Sequence, residues 1–277
     1  MVELLGGADV RALADSLGVV PTKKLGQNFV TDPNTIRKIV TSAKLLSNET
    51  VVEIGPGLGS LTLGLLEAVD HVISVEIDPK MAAAIEQTVA KRAPGRRFSL
   101  VTQDAMKVTE LPSEPTALVA NLPYNISVPV LLHFIETFPT IRHGLVLVQS
   151  EVAHRLAAPK GSKIYGGPSA KLAWWADANL AGNVSRSIFW PIPNVDSSLV
   201  YFAKRPEPLA LEELRVKTFS IIDAAFSQRR KTLRQALADF AGSPKAAEEL
   251  LNKAGLSPQL RGEQLDISDF LKIARAV

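Results

Sequence analysis

The sequence predicts a doubly wound α/β domain followed by a small all-helical domain. Between residues 50 and 150, short apolar runs of strand length alternate with longer segments of helical periodicity, which is typical of a parallel sheet covered by helices on both faces. A glycine-rich turn at 55–59 separates the first apolar run from the first helical segment. After the linker Arg205-Pro206-Glu207-Pro208 only helical patterns remain, so the last part of the chain is predicted to be all-helical.

The elements of the sheet domain follow one another in a regular order. The predicted strands are 51–54, 71–75, 98–102, 117–120 and 144–149, and the predicted helices between them are 61–69, 81–91 and 128–136. Two later apolar runs, 178–184 and 198–203, supply the last strands. Ahead of the sheet, residues 1–20 predict a short helix ending at Gly18. Asp32-Pro33 predicts the start of another helix, because an acidic N-cap followed by proline is typical of a helix N-terminus.

The linker sets the predicted domain boundary. Residues 1–205 are assigned to the sheet domain, with 1–22 as an N-terminal extension, and 206–277 are assigned to the helical domain. Within the helical domain, the helical patterns are 211–240, 244–254 and 267–276.

Composition excludes several kinds of chemistry. The 277-residue chain has no cysteine, which removes disulfides, thiolate metal sites and a cysteine nucleophile. Its four histidines lack metal-ligand spacing, so we expect no metal. The first 18 residues do not resemble a secretory signal, and no window reaches the apolar length of a transmembrane helix. We therefore expect a cytoplasmic protein with no membrane partner.

Basic residues are clustered, although the net charge is only +3. The clusters are Lys23-Lys24, Arg96-Arg97, and the group Arg229, Arg230, Lys231 and Arg234. Such clusters are what a phosphate backbone requires, and a solvated helix face is the alternative interpretation of each.

Polar residues after three successive strands indicate a nucleoside site. The spacing of Gly55, Gly57 and Gly59 differs from a dinucleotide fingerprint, because the third glycine comes one residue early. Glu76 follows the second strand and can accept hydrogen bonds from ribose hydroxyls, while Asp104 follows the third and can accept one from an adenine amino group. The alternatives are a plain connector for the glycines and a helix cap for Glu76, a role that Asp78-Pro79 fits better. Together the three positions predict an adenosine site.

The tetrapeptide Asn121-Leu122-Pro123-Tyr124 follows the fourth strand and indicates the chemistry. An adenine amino group is a poor nucleophile, because its lone pair is delocalised into the ring. The Asn121 side-chain oxygen and the Leu122 or Pro123 carbonyl can hold its hydrogens, and the Tyr124 ring can stack on the base. The alternative interpretation is an ordinary turn beside a buried tyrosine.

Several sequence blocks together resemble one family. They are 24–29, the glycine turn, 121–124, Phe189-x-Pro191-x-Pro193-x-Val195-Asp196-Ser197, and 226–231. In their order and content they resemble the small-subunit rRNA adenine N6,N6-dimethyltransferases, which are related to the erythromycin-resistance rRNA methylases. The resemblance extends from Lys23 to the C-terminus. It implies a Rossmann-like methyltransferase sheet and S-adenosylmethionine as cofactor.

The resemblance also assigns site residues. It implies cofactor contacts by Gln27, Asn28, Val30, Gly55, Gly57, Glu76, Ile77, Asp104, Ala105 and Asn121. It implies that 121–124 take the substrate adenine and that Phe189 gives a second stacking ring. We further expect Arg229, Arg230, Lys231 and Arg234 to point outward from one helix and bind RNA.

The implied reaction is the transfer of methyl groups to N6 of two adjacent adenosines near the 3′ end of small-subunit rRNA, with a role in ribosome biogenesis. The implied partner is the small ribosomal subunit, and we expect a monomer. Two other functions stay open: adenine methylation of large-subunit rRNA or DNA, and a non-enzymatic assembly role. A nicotinamide oxidoreductase is disfavoured by the glycine spacing.

Overall fold

The computed structural model describes residues 2–18 and 28–277. The chain forms two compact units. The sheet unit consists of Met1–Ala153 and Asn179–Lys204, and the helical unit consists of His154–Ala178 and Arg205–Val277. The helical unit thus includes residues 154–178 in addition to the C-terminal part that the sequence assigned to it.

A seven-stranded sheet forms the centre of the sheet unit. In chain order its strands are β2 (Thr50–Ile54), β3 (His71–Glu76), β4 (Arg97–Thr102), β5 (Ala117–Asn121), β6 (His143–Gln149), β7 (Ala176–Val184) and β9 (Ser197–Lys204). The spatial order is β4-β3-β2-β5-β6-β9-β7. Strands β2 to β6 pair in parallel, and β9 pairs antiparallel with β6. The predicted α/β class is therefore confirmed.

The strand order reverses between β2 and β5. Chain connections run outward from β2 through β3 to β4, and then return to β5 on the other side of β2. Helices diverge at such a point and leave a crevice beyond the carboxyl ends of the strands, where open α/β sheets bind ligands. The residues that follow β2, β3, β4 and β5 therefore share one edge of the sheet.

The described residues of this part of the chain form six α-helices, and the sequence pattern did not predict the last of them. They are α1 (Gly7–Ser16), α2 (Pro33–Ser42), α3 (Ser60–Ala68), α4 (Pro79–Arg92), α5 (Ser127–Thr137) and α6 (Ser150–Leu156). Asp32 caps α2 by accepting a hydrogen bond from the Thr35 N–H at 2.9 Å, and Asp78 caps α4 by accepting one from the Lys80 N–H at 2.8 Å. Both acidic caps were expected from the Asp-Pro pairs.

A short two-stranded sheet lies beside the main one. Strand β1 (Phe29–Val30) pairs antiparallel with β8 (Phe189–Trp190), and the rings of Phe29 and Trp190 stack with centroids 6.2 Å apart. Phe29, Val30 and Phe189 belong to the apolar core of the sheet unit. The start of the aromatic-proline block thus pairs with Phe29, the last residue of the first family block, and with the adjacent Val30.

The helical unit has its own apolar core. Its helices are α7 (Gly167–Trp175), α8 (Glu212–Ser227), α9 (Leu233–Ala236), α10 (Ala238–Ala241), α11 (Pro244–Lys253) and α12 (Ile267–Ala276). Trp174 is fully buried in this core. The segment 159–168 is held against the unit, since Gly161 N–H donates to the Glu263 carbonyl at 2.7 Å and Tyr165 is buried.

The single helix expected over 211–240 is wrong. Helix α8 ends at Ser227, residues 228–232 form a turn closed by Lys231 N–H on the Gln228 carbonyl at 2.8 Å, and α9 begins at Leu233. The amides of Leu233 and Arg234 donate to the carbonyls of Leu260 and Pro258. The break occurs because these amides form hydrogen bonds with a later segment instead of continuing the helix. Such long-range contacts cannot be inferred from the spacing of apolar residues.

The described residues contain neither a membrane-spanning helix nor a cluster of metal ligands. No helix in residues 2–18 or 28–277 is long and apolar enough to cross a membrane. Within the same ranges, no group of three or more His, Asp or Glu side chains could hold a metal ion.

Candidate active site

A cavity of about 350 Å³ lies at the carboxyl ends of β2, β3, β4 and β5. This volume falls within the usual range for small-molecule sites, about 300 to 1,000 Å³. The lining residues that the sequence also singled out are Asn28, Val30, Gly55, Gly57, Glu76, Ile77, Asp104, Ala105, Asn121 and Pro123. All of them belong to the sheet unit. Gln27 lies outside the described residues.

The glycine turn fits closely against its neighbours. Gly55 and Gly57 have φ of +69° and +55°, in the left-handed region that favours glycine. A Cβ on Gly57 would lie 2.8 Å from the Phe29 ring, closer than packed atoms approach. The turn therefore brings bare backbone to the cavity wall, where a ligand can approach it closely.

Glu76 lies at the end of β3 and forms part of the cavity wall. Its Oε1 accepts a hydrogen bond from the Asp78 N–H at 3.0 Å, and its Oε2 accepts a longer one from the Gly57 N–H at 3.4 Å. The side chain is buried, and this burial raises its pKa, although the backbone hydrogen bonds act in the opposite direction. A ligand with two adjacent hydroxyl groups would give this carboxylate the donors that favour its charged form.

Glu53 is a second buried acid in the same wall, and the sequence pattern did not indicate a role for it. It is 1% exposed and accepts hydrogen bonds from Thr62 Oγ1 at 2.6 Å and Ser74 Oγ at 2.9 Å. Burial raises its pKa to about 7, and the neighbouring Glu76 charge acts in the same direction. A signal was present, because an acid inside the apolar run Val51 to Ile54 is unusual for a fully buried strand.

Asp104 lies after β4, and its Oδ1 accepts a hydrogen bond from the Met106 N–H at 3.0 Å. The side chains of Ile77 and Met106 are exposed and line the cavity near Glu76 and Asp104. A flat apolar ring can be held between such side chains while a carboxylate binds its polar edge. Met106 and Phe29 also line the cavity, although the sequence pattern did not indicate them.

Asn121 ends β5 and is fixed at the cavity by its side-chain amide. Its Nδ2 donates to the backbone carbonyl of Asn28 at 3.1 Å. Since the amide nitrogen is engaged in this bond, the side-chain oxygen Oδ1 is the acceptor that remains for a ligand. This is the orientation that the predicted chemistry requires.

The remaining tetrapeptide residues lie around Asn121 in different environments. Pro123 lines the cavity, whereas Leu122 is buried beneath it and offers only its backbone. Tyr124 is half-buried, and its hydroxyl lies 2.8 Å from Ser197 Oγ. Phe189 does not line the cavity and is 2% exposed, so its ring does not face this cavity. Its role as a second stacking ring stays a prediction.

The four predicted RNA-binding residues fall into two pairs within the helical unit. Arg229 donates to Glu263 at 3.1 Å and also to the Lys163 carbonyl, and Arg234 forms an ion pair with Glu248 at 2.7 Å. Arg230 and Lys231 are exposed, and neither has an ion-pair partner among the described residues. The expectation that all four point outward from one helix is wrong, because three of them lie in the turn 228–232 and two are engaged by acids.

Comparison with known proteins gives a consistent result. A family model described as ribosomal RNA adenine dimethylase matches residues 21–277. A protein of Streptomyces griseus named Ribosomal RNA small subunit methyltransferase A is 59% identical over 274 residues, covering 98% of this chain and 94% of that protein. A protein of the same name from Kineococcus radiotolerans is 59% identical over 273 residues, covering 98% and 91%.

Solved structures show the same fold. A dimethyladenosine transferase from Plasmodium falciparum superposes with a TM-score of 0.75 at 25% identity, covering 88% of this chain and 95% of that one. The 23S rRNA methyltransferase ErmE superposes with a TM-score of 0.66 at 24% identity, covering 90% and 98%. The likeness to the second structure is one of fold alone.

Proposed function

Because this chain belongs to the ribosomal RNA adenine dimethylase family, we propose that it methylates N6 of two adjacent adenosines near the 3′ end of small-subunit rRNA, with S-adenosylmethionine as the donor. The family predicted from the sequence is confirmed, as is the activity of an rRNA adenine methyltransferase. Relatives named for the small subunit, 59% identical along nearly the whole chain, support the choice of substrate.

The anchored amide of Asn121 is the observation that carries the proposed chemistry. Its Nδ2 is held by the Asn28 carbonyl, so Oδ1 is available to accept one hydrogen of an adenine amino group. The Leu122 or Pro123 carbonyl takes the second hydrogen. With both hydrogens held, the nitrogen lone pair turns out of conjugation with the ring and points toward the donor methyl.

The cavity fits the proposed donor. The Glu76 carboxylate would hold the ribose hydroxyls, and Asp104 would accept from the adenine amino group. Gly57 lines the cavity and carries no side chain, so a ligand can approach the backbone of the turn closely. When bound, S-adenosylmethionine supplies a methyl group from its sulfonium sulfur and leaves as the neutral thioether.

The residues of the chain act by positioning and by hydrogen bonding. Transfer would replace the sulfur–methyl bond by a bond between N6 and the methyl carbon, and the N6 proton would pass to water. No strong base is required, because the amino proton becomes acidic once nitrogen carries the new methyl group. The rate gain therefore comes from the orientation that Asn121 and its neighbours impose.

RNA binding by the helical unit completes the proposal. The exposed pair Arg230 and Lys231 supports contact with phosphate, and Gln27 and Phe189 keep their proposed roles toward donor and substrate base. We propose that the enzyme acts in the cytoplasm, where its proposed ribosomal substrate is present. We propose that it acts as a monomer, since the cavity is lined within one sheet unit.

The test is transfer of tritium from labelled S-adenosylmethionine to three substrates: small subunits that lack the modification, large subunits and naked DNA. Nucleoside analysis of the product follows. Dimethyladenosine in small-subunit rRNA is the expected result. Label confined to large subunits or DNA would replace the substrate while keeping the chemistry, and no label with donor bound would reject the proposed activity.

A further inference from the structure

A hydrogen bond joins the substrate tetrapeptide to a strand that the proposed chemistry does not use. The Tyr124 hydroxyl lies 2.8 Å from Ser197 Oγ. Tyr124 lies in the turn after β5, whereas Ser197 opens β9, and β6 lies between these strands in the sheet. Ser197 is the last residue of the aromatic-proline block, whose Val195-Asp196-Ser197 portion has no role in the mechanism above.

Ser197 is held firmly by its backbone. It faces Gln149 in the antiparallel pairing of β9 with β6, and the Ser150 N–H donates to the adjacent Asp196 carbonyl at 2.9 Å. Its side chain is fully buried. The serine hydroxyl therefore has a fixed position within the sheet.

Tyr124 is held much less firmly by its own turn. The Ile126 N–H donates to the Pro123 carbonyl at 3.2 Å, and Ser127 Oγ donates to the Tyr124 carbonyl at 3.4 Å. Neither bond restrains the rotation of the Tyr124 ring. The bond to Ser197 does so, because it fixes the far end of the side chain. Burial raises the pKa of the Tyr124 phenol, so the hydroxyl stays protonated at neutral pH and the bond persists.

We propose that Ser197 is a positioning residue for methyl transfer, because it holds the Tyr124 hydroxyl and thereby sets the ring face on which the target adenine stacks. The inference rests on the proposed function, since Tyr124 has this role only where an adenine is the substrate. The hydroxyl is engaged within the protein, so the ring acts on the base through its face and not through its oxygen.

The chain offers a matched control at the next residue. Ser198 is equally buried, lies on the same strand, and points to the opposite face of the sheet. Its hydroxyl donates to Asn183 Oδ1 at 2.9 Å and lies 2.8 Å from Ser150 Oγ. Ser197→Ala and Ser198→Ala therefore each remove one buried, hydrogen-bonded hydroxyl, and only the first removes the contact with Tyr124.

The experiment compares wild type, Ser197→Ala, Ser198→Ala, Tyr124→Phe and the double variant Ser197→Ala/Tyr124→Phe. The kcat and KM for unmodified small subunits are measured with labelled donor, donor binding is measured by calorimetry, and folding is measured by thermal melting. We expect Ser197→Ala and Tyr124→Phe each to lower kcat about three- to tenfold, the range for one neutral hydrogen bond, with donor Kd unchanged. Ser198→Ala should stay within about twofold of wild type. The double variant should be no slower than Tyr124→Phe.

Equal effects of Ser197→Ala and Ser198→Ala on kcat would overturn the proposal, and so would additive losses in the double variant. If Ser197→Ala does not fold, Tyr124→Phe decides the matter, because it removes the same bond and keeps the ring; a wild-type rate would overturn the proposal. If wild type labels no adenine, the proposed function itself is rejected. If wild type transfers methyl groups normally and Ser197→Ala does so equally well, only the role of Ser197 is rejected.

Discussion

The side-chain nitrogen of Asn121 donates to the backbone carbonyl of Asn28 at 3.1 Å. This bond fixes which end of the amide faces the cavity, because the engaged nitrogen leaves the oxygen as the acceptor. It also joins the end of β5 to Asn28, the residue before β1, so two residues distant in sequence meet at the cavity.

Asn121→Asp should be almost as damaging as Asn121→Ala. Aspartate is nearly isosteric, but it has no donor for the Asn28 carbonyl and would place an anion against that oxygen. We expect both variants to lose about a hundredfold or more in kcat with little change in donor affinity. Single-turnover assays and calorimetry measure the two quantities. An active Asn121→Asp would mean that the anchoring bond is dispensable.

Glu76→Gln should weaken donor binding. The amide keeps the size of the carboxylate but loses the charge and one acceptor, so we expect Kd to rise about tenfold or more. Glu86→Gln, an exposed change on α4, is the control. Titration calorimetry with S-adenosylmethionine gives both values, and equal affinities for the two variants would remove Glu76 from the ribose site.

Gly57→Ala should cost more stability than Gly95→Ala. Both glycines have positive φ, so alanine is strained at each by about 1–2 kcal/mol. At Gly95 a Cβ meets nothing within 4 Å, whereas at Gly57 it lies 2.8 Å from the Phe29 ring, which itself stacks on Trp190. Denaturant melts give the difference. We also expect Gly57→Ala, but not Gly95→Ala, to weaken donor binding. Equal losses of stability in the two variants would show that the Phe29 ring moves aside to make room for the Cβ.

The fold was predictable from the sequence because its elements are locally encoded. The predicted strands and the helices between them agree with the structure to within two residues at each end, since buried parallel strands are apolar runs and the Asp-Pro pairs mark helix starts. The break after Ser227 was not predictable, because it depends on amides that pair with Leu260 and Pro258, far along the chain.

The candidate site was predictable in part for the same reason. Glu76 and Asn121 end strands and Asp104 follows one, and the parallel sheet brings all three to one edge. The bonds of Asn121 to Asn28 and of Tyr124 to Ser197 join residues 93 and 73 positions apart, so no local pattern reveals them. The burial of Phe189 likewise depends on its pairing with Val30.

Glu53 should make stability depend on pH between its unfolded and folded pKa values. Burial raises its pKa from 4.5 to about 7, so between these values the folded state binds more protons than the unfolded state. The contribution of Glu53 to the free energy of unfolding is therefore full below about pH 4.5. It is lost as the pH rises through about 7, and the loss amounts to up to about 3 kcal/mol.

Glu53→Gln removes this titration while keeping the side-chain size. We expect the difference in free energy of unfolding, wild type minus variant, to fall as the pH rises from about 5 to 8. Denaturant melts across that range measure it, with the exposed Glu86→Gln as control. A difference that is constant with pH would contradict the prediction.

Substitutions should show that the two pairs of basic residues in the helical unit have different roles, one in RNA binding and the other in stability. Arg230 and Lys231 are exposed, so Arg230→Glu/Lys231→Glu should weaken RNA binding without lowering the melting temperature. Each lost phosphate contact should reduce the slope of log K against log salt by about 0.7–0.9. Arg229→Ala should mainly lower the melting temperature, because it breaks the bonds to Glu263 and the Lys163 carbonyl.

Salt titrations of binding to unmodified small subunits decide between these expectations. Lys245→Glu on α11 is the control, since it is an exposed charge reversal within the helical unit but outside the turn 228–232. An equal loss of affinity in the control would show that the total charge of the helical unit drives binding. A larger loss of RNA affinity in Arg229→Ala than in the double reversal would contradict the prediction. It would show that Arg229 leaves Glu263 to bind phosphate, so that its ion pair does not prevent contact with RNA.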